Sequence, residues 1–299
     1  MSAPWDLSTA DEIIPLIGHS GASVILVARG SERRVRKLAK GAAESPRLLR
    51  QMRLQKSAHE AGLRTPAIIS SGVDGDRAFF EMEYIPGRSL ARTLMEGNPP
   101  DPGELSRFLI GVLDHHRTSE GAALERRVFS EKLTVISERC ETVLGRLGLA
   151  DEFVRLVEAV LEGDLATPQS AAHGDLTFDN ILVDNSGRFI LIDFDDPGFS
   201  SWKLDLAKLM QDVWGRWCLR HLLLDSPDSV AAVNALVKLD QVRSELTSRL
   251  LDAFPVSRDD IARLCLFHLA RILPYCQDDR MVVFIMANAR RVLAEQLGR

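Results

Sequence analysis

Three polar side chains stand in order within one apolar stretch of the chain. Asp175 and Asn180 fall in His173-Gly174-Asp175-Leu176-Thr177-Phe178-Asp179-Asn180, and Asp193 closes Phe189-Ile190-Leu191-Ile192-Asp193. Taken singly, each is an ordinary turn cap between core strands. Taken together, they are the set that phosphoryl transfer uses. One carboxylate orients the attacking hydroxyl or takes its proton, while an amide and a second carboxylate hold Mg²⁺ against the phosphates. Asp175 fits the first role, and Asn180 with Asp193 the second. Asp195 and Asp196, just beyond, are in position for a second ion or a water.

The elements needed to hold these groups are legible around them. Ile181-Leu182-Val183 and the run ending at Asp193 are apolar strands joined by Asp184-Asn185-Ser186-Gly187, the turn chemistry of a hairpin. Asn follows Asp by five residues, and an Asp-Phe pair follows the hairpin, as in the kinase catalytic loop. The loop reads His-Gly-Asp where protein kinases have His-Arg-Asp, and Asp193-Phe194 runs into Asp195-Asp196 with no glycine in third place. In this form it resembles the aminoglycoside phosphotransferase and choline kinase family, the branch of the kinase-like fold that phosphorylates small molecules.

The first lobe is expected over residues 1–86. Ile13 to Ile17, the turn Gly18-His19-Ser20-Gly21-Ala22-Ser23 and Val24 to Ala28 read as strand, turn, strand. Small turn residues let backbone N–H groups approach a phosphate, which nominates Ser20, Gly21 and Ser23. On the next strand Lys37 shares a face with Val35 and stands where kinases place the lysine that pairs with the nucleotide phosphates. Arg29, Arg33, Arg34, Arg36 and Lys40 read as a solvated hairpin edge. A helix is expected from Ser45-Pro46 to Gly62. It lacks the central glutamate that kinases use to orient the strand lysine, leaving Gln51, Gln55 or Glu44 for that task.

Arg-Leu-x-x-Gln-x-x-x-Gln on this helix, then Phe79-Phe80-Glu81-Met82-Glu83-Tyr84-Ile85-Pro86-Gly87 and His-Gly-Asp-Leu-Thr, resembles phosphotransferases found with bacterial surface-polysaccharide genes. By that resemblance Phe79 to Ile85 is the hinge strand. It implies that Met82 lines the adenine pocket, while the Glu83 carbonyl and the Ile85 N–H bind the adenine edge. It also implies that Asp205, in Asp205-Leu206-Ala207, braces the catalytic loop.

Residues 87–299 are expected to form a mainly helical second lobe with the acceptor region. Asp101-Pro102-Gly103-Glu104 is a helix start. His115 and His116 near that helix's end read as a solvated pair, and Trp202, Trp214 and Trp217 as packing, with a sugar-stacking wall as the alternative. The net charge is −5, which gives no global basic field for nucleic acid. The four cysteines lack CxxC spacing and read as core residues of a reducing compartment. No secretory start and no apolar run long enough for membrane insertion is seen, so a cytoplasmic protein is expected.

The expected fold is therefore α+β and bilobal, protein-kinase-like, with a small β-rich lobe and a larger helical one. The expected activity is ATP- and Mg²⁺-dependent transfer of the γ-phosphoryl group to a hydroxyl of a sugar or related polysaccharide precursor. The alternatives are a nucleotide-binding pseudokinase that regulates a partner and an antibiotic phosphotransferase of the aminoglycoside type. A protein kinase ranks below both, because Asp-Phe-Gly and Ala-Pro-Glu are absent.

Overall fold

The computed structural model describes residues 4–16, 22–163, 165, 167–195 and 198–298. The chain divides into two compact units, Met1–Ser89 with Asn180–Gly198, and Leu90–Asp179 with Phe199–Arg299. The hairpin that carries Asp193 thus belongs with the first unit.

In the first unit, β1 (Glu12–Leu16), β2 (Ala22–Arg29), β3 (Glu32–Ala39), β4 (Ile68–Asp74) and β5 (Arg77–Glu83) form an antiparallel sheet. Its strand order is β1-β2-β3-β5-β4, and helix α1 (Ser45–Glu60) lies between β3 and β4 in sequence. Register sets which side chains share a face. Val35 pairs with Met82 and Lys37 with Phe80, so these four project to one side. There Leu26, Val35, Phe80 and Met82 pack with Leu48 of α1 in a buried cluster. Each such side chain contributes roughly 1.5–3 kcal/mol when fully buried. Ser45 fixes the start of α1, accepting the Ala78 N–H on its Oγ at 2.9 Å and donating to the Gly41 carbonyl at 3.3 Å. The helix ends before Gly62, whose φ of +87° suits glycine.

The opposite face of this sheet corrects an expectation. Arg34 and Arg36 are not a solvated edge. Arg36 is 5% exposed and binds fully buried Glu81 through Nε at 3.0 Å and Nη2 at 2.5 Å, and Arg34 joins at 3.2 Å. Ser70 Oγ donates to the same carboxylate at 2.6 Å, and the Trp5 N–H reaches both oxygens at 3.2 Å. Burial alone would push the Glu81 carboxyl up, but the Ser70 and Arg36 hydrogen bonds outweigh it and hold it below its ordinary value. A charge pair can stand there because every charge is met.

A second sheet of order β6-β7-β8 completes the unit, with β6 (Gly87–Ser89), β7 (Ile181–Asp184) and β8 (Phe189–Leu191). Gly87 is required by close approach: a Cβ there would lie 2.5 Å from the Val183 carbonyl. The Asp184 carboxylate accepts the N–H groups of Ser186 (2.8 Å) and Arg188 (2.9 Å) and so ties the hairpin turn. The strand ends at Leu191, two residues short of Asp193.

The second unit is helical: α2 (Leu90–Glu96), α3 (Pro102–Arg117), α4 (Arg126–Arg146), α5 (Ala150–Leu161), α6 (Trp202–Val213), α7 (Arg220–Asp225), α8 (Val230–Ala253), α9 (Arg258–Ile272) and α10 (Asp279–Leu297). Asp101 caps α3 by accepting the Glu104 N–H at 2.8 Å. Helix α9 is buried from Ile261 through Ala270 apart from Arg263, the mark of a helix enclosed by others. Helix α6 packs against it, with Leu206, Ala207, Leu209 and Met210 wholly buried. Trp202 and Trp214 are core residues, their ring N–H groups donated to Glu120 (2.5 Å) and Thr247 (3.2 Å), so neither is a stacking wall. His116 is not half of a solvated pair either. It is 3% exposed, with Nδ1 3.3 Å from Asp205 Oδ2. No described helix is long and apolar enough to cross a membrane.

Candidate active site

In the second unit one helix face fixes a whole loop. Asp205, Lys208 and Asp212 stand at i, i+3 and i+7 on α6, which puts them on one side. Each meets the loop from His173 to Phe178. Asp205 accepts two successive backbone N–H groups, His173 at 2.6 Å and Gly174 at 2.9 Å. Asp212 accepts the Phe178 N–H at 2.5 Å. Between them, Lys208 Nζ lies 3.1 Å from Asp175 Oδ1. Gly174, at φ +85°, makes the turn between these anchor points. Leu176 and Phe178 are fully buried and peg the loop to the core, while the Asp175 side chain remains 40% exposed. The arrangement buries His173 and Leu176 to Phe178 on either side and presents the Asp175 carboxylate.

The charges of α6 differ in kind. Burial, then the nearby Asp179, push Asp212 up to about 8 against the pull of the Phe178 N–H, so it is a neutral acid at pH 7. Its Oδ1 is buried without a hydrogen-bond partner among the described residues. Asp179 is held by Arg220 at 2.8 Å, whose guanidinium lies 4.5 Å from the Trp217 ring centre.

In the first unit, a short helical turn ends on Asn180, which is 8% exposed and whose carbonyl takes the Ile192 N–H at 3.0 Å. This bond sets Asn180 beside the residue preceding Asp193. Asp193 has φ +65°, a left-handed conformation that aspartate tolerates better than most residues. Its Oδ1 is bonded to Lys37 Nζ, which extends from β3 and is almost fully buried. The structure therefore brings Lys37 and Asp193 together. The glutamate missing from α1 is not replaced by Gln51, which donates to Asp195 at 3.1 Å, or by Gln55, which donates to the Pro66 carbonyl at 2.8 Å. Asp195 is further gripped by Arg47, with Nε at 3.1 Å from Oδ1 and Nη2 at 2.9 Å from Oδ2. Its carboxylate anchors α1.

The other nominated residues are placed as follows. Ser23 is exposed at the start of β2, opposite Leu38. Met82 is buried in the sheet core and accepts from Gln55 Nε2 at 3.3 Å. Glu83 ends β5, its N–H bonded to the Ala67 carbonyl at 3.0 Å, and Ile85 follows outside the strand, half-buried. Ser20, Gly21 and Asp196 lie outside the described residues. Sequence reasoning missed Lys208, Asp212 and Arg47. The Asp-x-x-Lys-x-x-x-Asp spacing beginning at Asp205 was the available signal for the first two.

The residues fit a nucleotide-bound magnesium ion. An amide oxygen and a carboxylate are hard donors of the kind Mg²⁺ prefers, with phosphates and water completing its shell. Among the described residues no group of three His, Cys, Asp or Glu side chains forms a cage for a metal by itself.

Known proteins resemble the chain in family and in fold. Residues 13–228 match the family model described as the phosphotransferase enzyme family. No curated protein matches the chain in sequence. Among solved structures, aminoglycoside phosphotransferase APH(4)-Ia is similar at a TM-score of 0.63 and 12% identity, covering 96% of this chain and 94% of its own. Choline kinase LicA from Streptococcus pneumoniae gives 0.54 and 15%, covering 95% and 94%. Aminoglycoside phosphotransferase APH(3'')-Id from Streptomyces rimosus, in complex with ADP and streptomycin, gives 0.52 and 15%, covering 84% and 92%. These likenesses show the α+β, bilobal kinase-like fold.

Proposed function

The chain belongs to the phosphotransferase enzyme family, and as an ATP-dependent phosphotransferase acting on hydroxyl groups we propose that it phosphorylates a sugar or a related polysaccharide precursor. The observation that carries this reading is the stretch from His173 to Asp193. It holds an exposed carboxylate, Asp175, on a loop braced at its backbone. Beyond it come a buried amide, Asn180, and a carboxylate, Asp193, paired with a buried lysine. Asp175 orients the acceptor hydroxyl and accepts its proton. Asn180 and Asp193 hold Mg²⁺, which when bound neutralises the charge on the phosphates. Lys37 supplies a second cation for those phosphates, and Ser20 and Gly21, with Ser23 at the start of β2, are the residues assigned to offer them backbone N–H groups. Glu83 and Ile85 offer backbone groups to the adenine beside Met82. Asp196 remains a candidate for a second ion or water, as does Asp195, which in this structure pairs with Arg47 and Gln51. No covalent enzyme intermediate is needed, since positioning and charge neutralisation suffice.

A small-molecule acceptor is supported by neighbours named for aminoglycosides and choline. The sugar class rests on the resemblance to surface-polysaccharide phosphotransferases. The test offers Mg–ATP and a panel of sugars, sugar precursors, choline-like alcohols and aminoglycosides, with ADP release as readout. One class is expected to stimulate release. Asp175→Ala should lower that turnover by about 10²–10⁴-fold while leaving nucleotide affinity intact. Near-normal turnover in Asp175→Ala would remove the assignment.

A further inference from the structure

Lys208 has no part in the reading above, yet it touches the residue on which that reading turns. Its Nζ lies 3.1 Å from Asp175 Oδ1, and its side chain is 15% exposed against 40% for Asp175. The base of this lysine is rigid, because Leu206, Ala207 and Leu209 beside it are wholly buried. A half-exposed carboxylate paired with an ammonium contributes little to stability, since solvent screens it. The same contact has a large geometric consequence: it fixes one oxygen of a carboxylate whose loop is already fixed at both ends.

We propose that Lys208 is a positioning residue for the phosphoryl transfer, its ammonium holding Asp175 in the orientation that receives the acceptor hydroxyl. The inference rests on the assignment of Asp175 as the group that orients that hydroxyl. An ammonium has three donors, and one of them suffices to hold Asp175. The surroundings concentrate that charge on Asp175. Asp212, one turn along α6, is a neutral acid at pH 7. Asp205 has its oxygens on the backbone N–H groups of His173 and Gly174, with His116 beside it. From α9, burial, then Lys208 and Arg271, push His268 well below the ordinary histidine range, so it faces Lys208 uncharged with Nε2 3.0 Å from the Leu204 carbonyl. Cys265 on the same helix is pushed up chiefly by burial and stays a thiol.

The experiment compares the intact wild-type protein with Lys208→Met, Lys208→Arg and Asp175→Ala. The reaction is Mg–ATP with the acceptor found in the screen, or with water where none is found. Lys208→Met should lower kcat by about 10²-fold and move the acid limb of the pH–rate profile to higher pH, because the carboxylate loses its counter-charge. Affinity for Mg–ADP, measured by calorimetry, should stay within about twofold. Lys208→Arg should recover about tenfold of the lost rate. A Lys208→Met enzyme within about threefold of wild-type kcat overturns the proposal. So does a loss that Lys208→Arg shares in full with the acid limb unmoved, which marks a merely structural role. Should Lys208→Met lose its cooperative melting transition, Lys208→Gln takes its place, and the same two outcomes decide. Asp175→Ala separates the two claims. If it turns over like wild type, the assignment of Asp175 fails, whereas its inactivity beside an indifferent Lys208→Met sinks Lys208 alone.

Discussion

The backbone of the Asp175 loop is clamped by helix α6, with Lys208 on the carboxylate itself, whereas the loop of Asp193 and Asp195 is met at those side chains. In the first, buried acids on one helix bind the loop's own backbone: Asp205 takes two N–H groups and Asp212 a third. In the second, the contacts run between side chains, from Lys37 to Asp193 and from Arg47 and Gln51 to Asp195. A backbone clamp fixes geometry whatever is bound. A side-chain ion pair can be exchanged, its cation turning to a phosphate and its carboxylate to a metal. The difference suits the tasks assigned here, because a group that aims a hydroxyl must be preorganised and one that receives Mg–ATP must be able to change partner.

Breaking the clamp should have the largest effect. Asp205→Ala removes the acceptor of the buried His173 N–H and of the half-buried Gly174 N–H. The expected loss of stability is about 2–5 kcal/mol, read as a lower urea midpoint at unchanged slope. An Asp205→Ala protein that unfolds like wild type would show that the clamp contributes nothing.

Asp212 sharpens the same side of the comparison through pH. Its folded pKa of about 8 stands above the value near 3.9 expected for an unfolded aspartate. Its contribution is therefore fully present below about pH 4 and is lost as pH rises through about 8. Asp212→Asn keeps a neutral acceptor for the Phe178 N–H and does not titrate. Its stability relative to wild type should rise between pH 5 and pH 8, by at most ~1.4 kcal/mol per pH unit. Urea denaturation of both proteins at the two pH values checks this, and a difference that does not change with pH contradicts a buried neutral acid.

The legible and illegible parts divide along the same line. Asp175, Asn180, Asp193 and Lys37 could be nominated because they match the kinase pattern in local spacing, and the bilobal α+β fold followed from that resemblance, with strand and helix periods placing the elements. Asp205 was found by resemblance. Lys208 and Asp212 stayed hidden although their spacing was in view, because charges on a helix are solvated unless something covers that face. What covers it is a loop about 30 residues upstream, beginning at His173. Arg36 and Glu81 were hidden for the same reason. Alternating Arg34-Val35-Arg36 reads as one face in water, and what helps enclose it is Trp5, bonded to Glu81 from 76 residues away and accepting from Arg36. His116 looked solvated at a helix end, and Asp205, brought alongside by tertiary packing, is what it faces.

The smallest effect tests the exchangeable side. Arg47 is 49% exposed in its side chain and Asp195 22%, so solvent and salt screen the pair even though the guanidinium engages both carboxylate oxygens. Arg47→Ala should lower stability by about 0.2–1 kcal/mol at low ionic strength. Near 1 M salt, where the screening length is about 3 Å, the difference should shrink toward zero. Gln51 would still hold Asp195 at 3.1 Å, which limits the loss further. Paired urea titrations of wild type and Arg47→Ala at low and high salt give the answer. A salt-independent loss above about 2 kcal/mol would mean that this pair behaves as a buried clamp. The two loops would then be held alike, and the exchange of partners proposed for the second would have no structural basis.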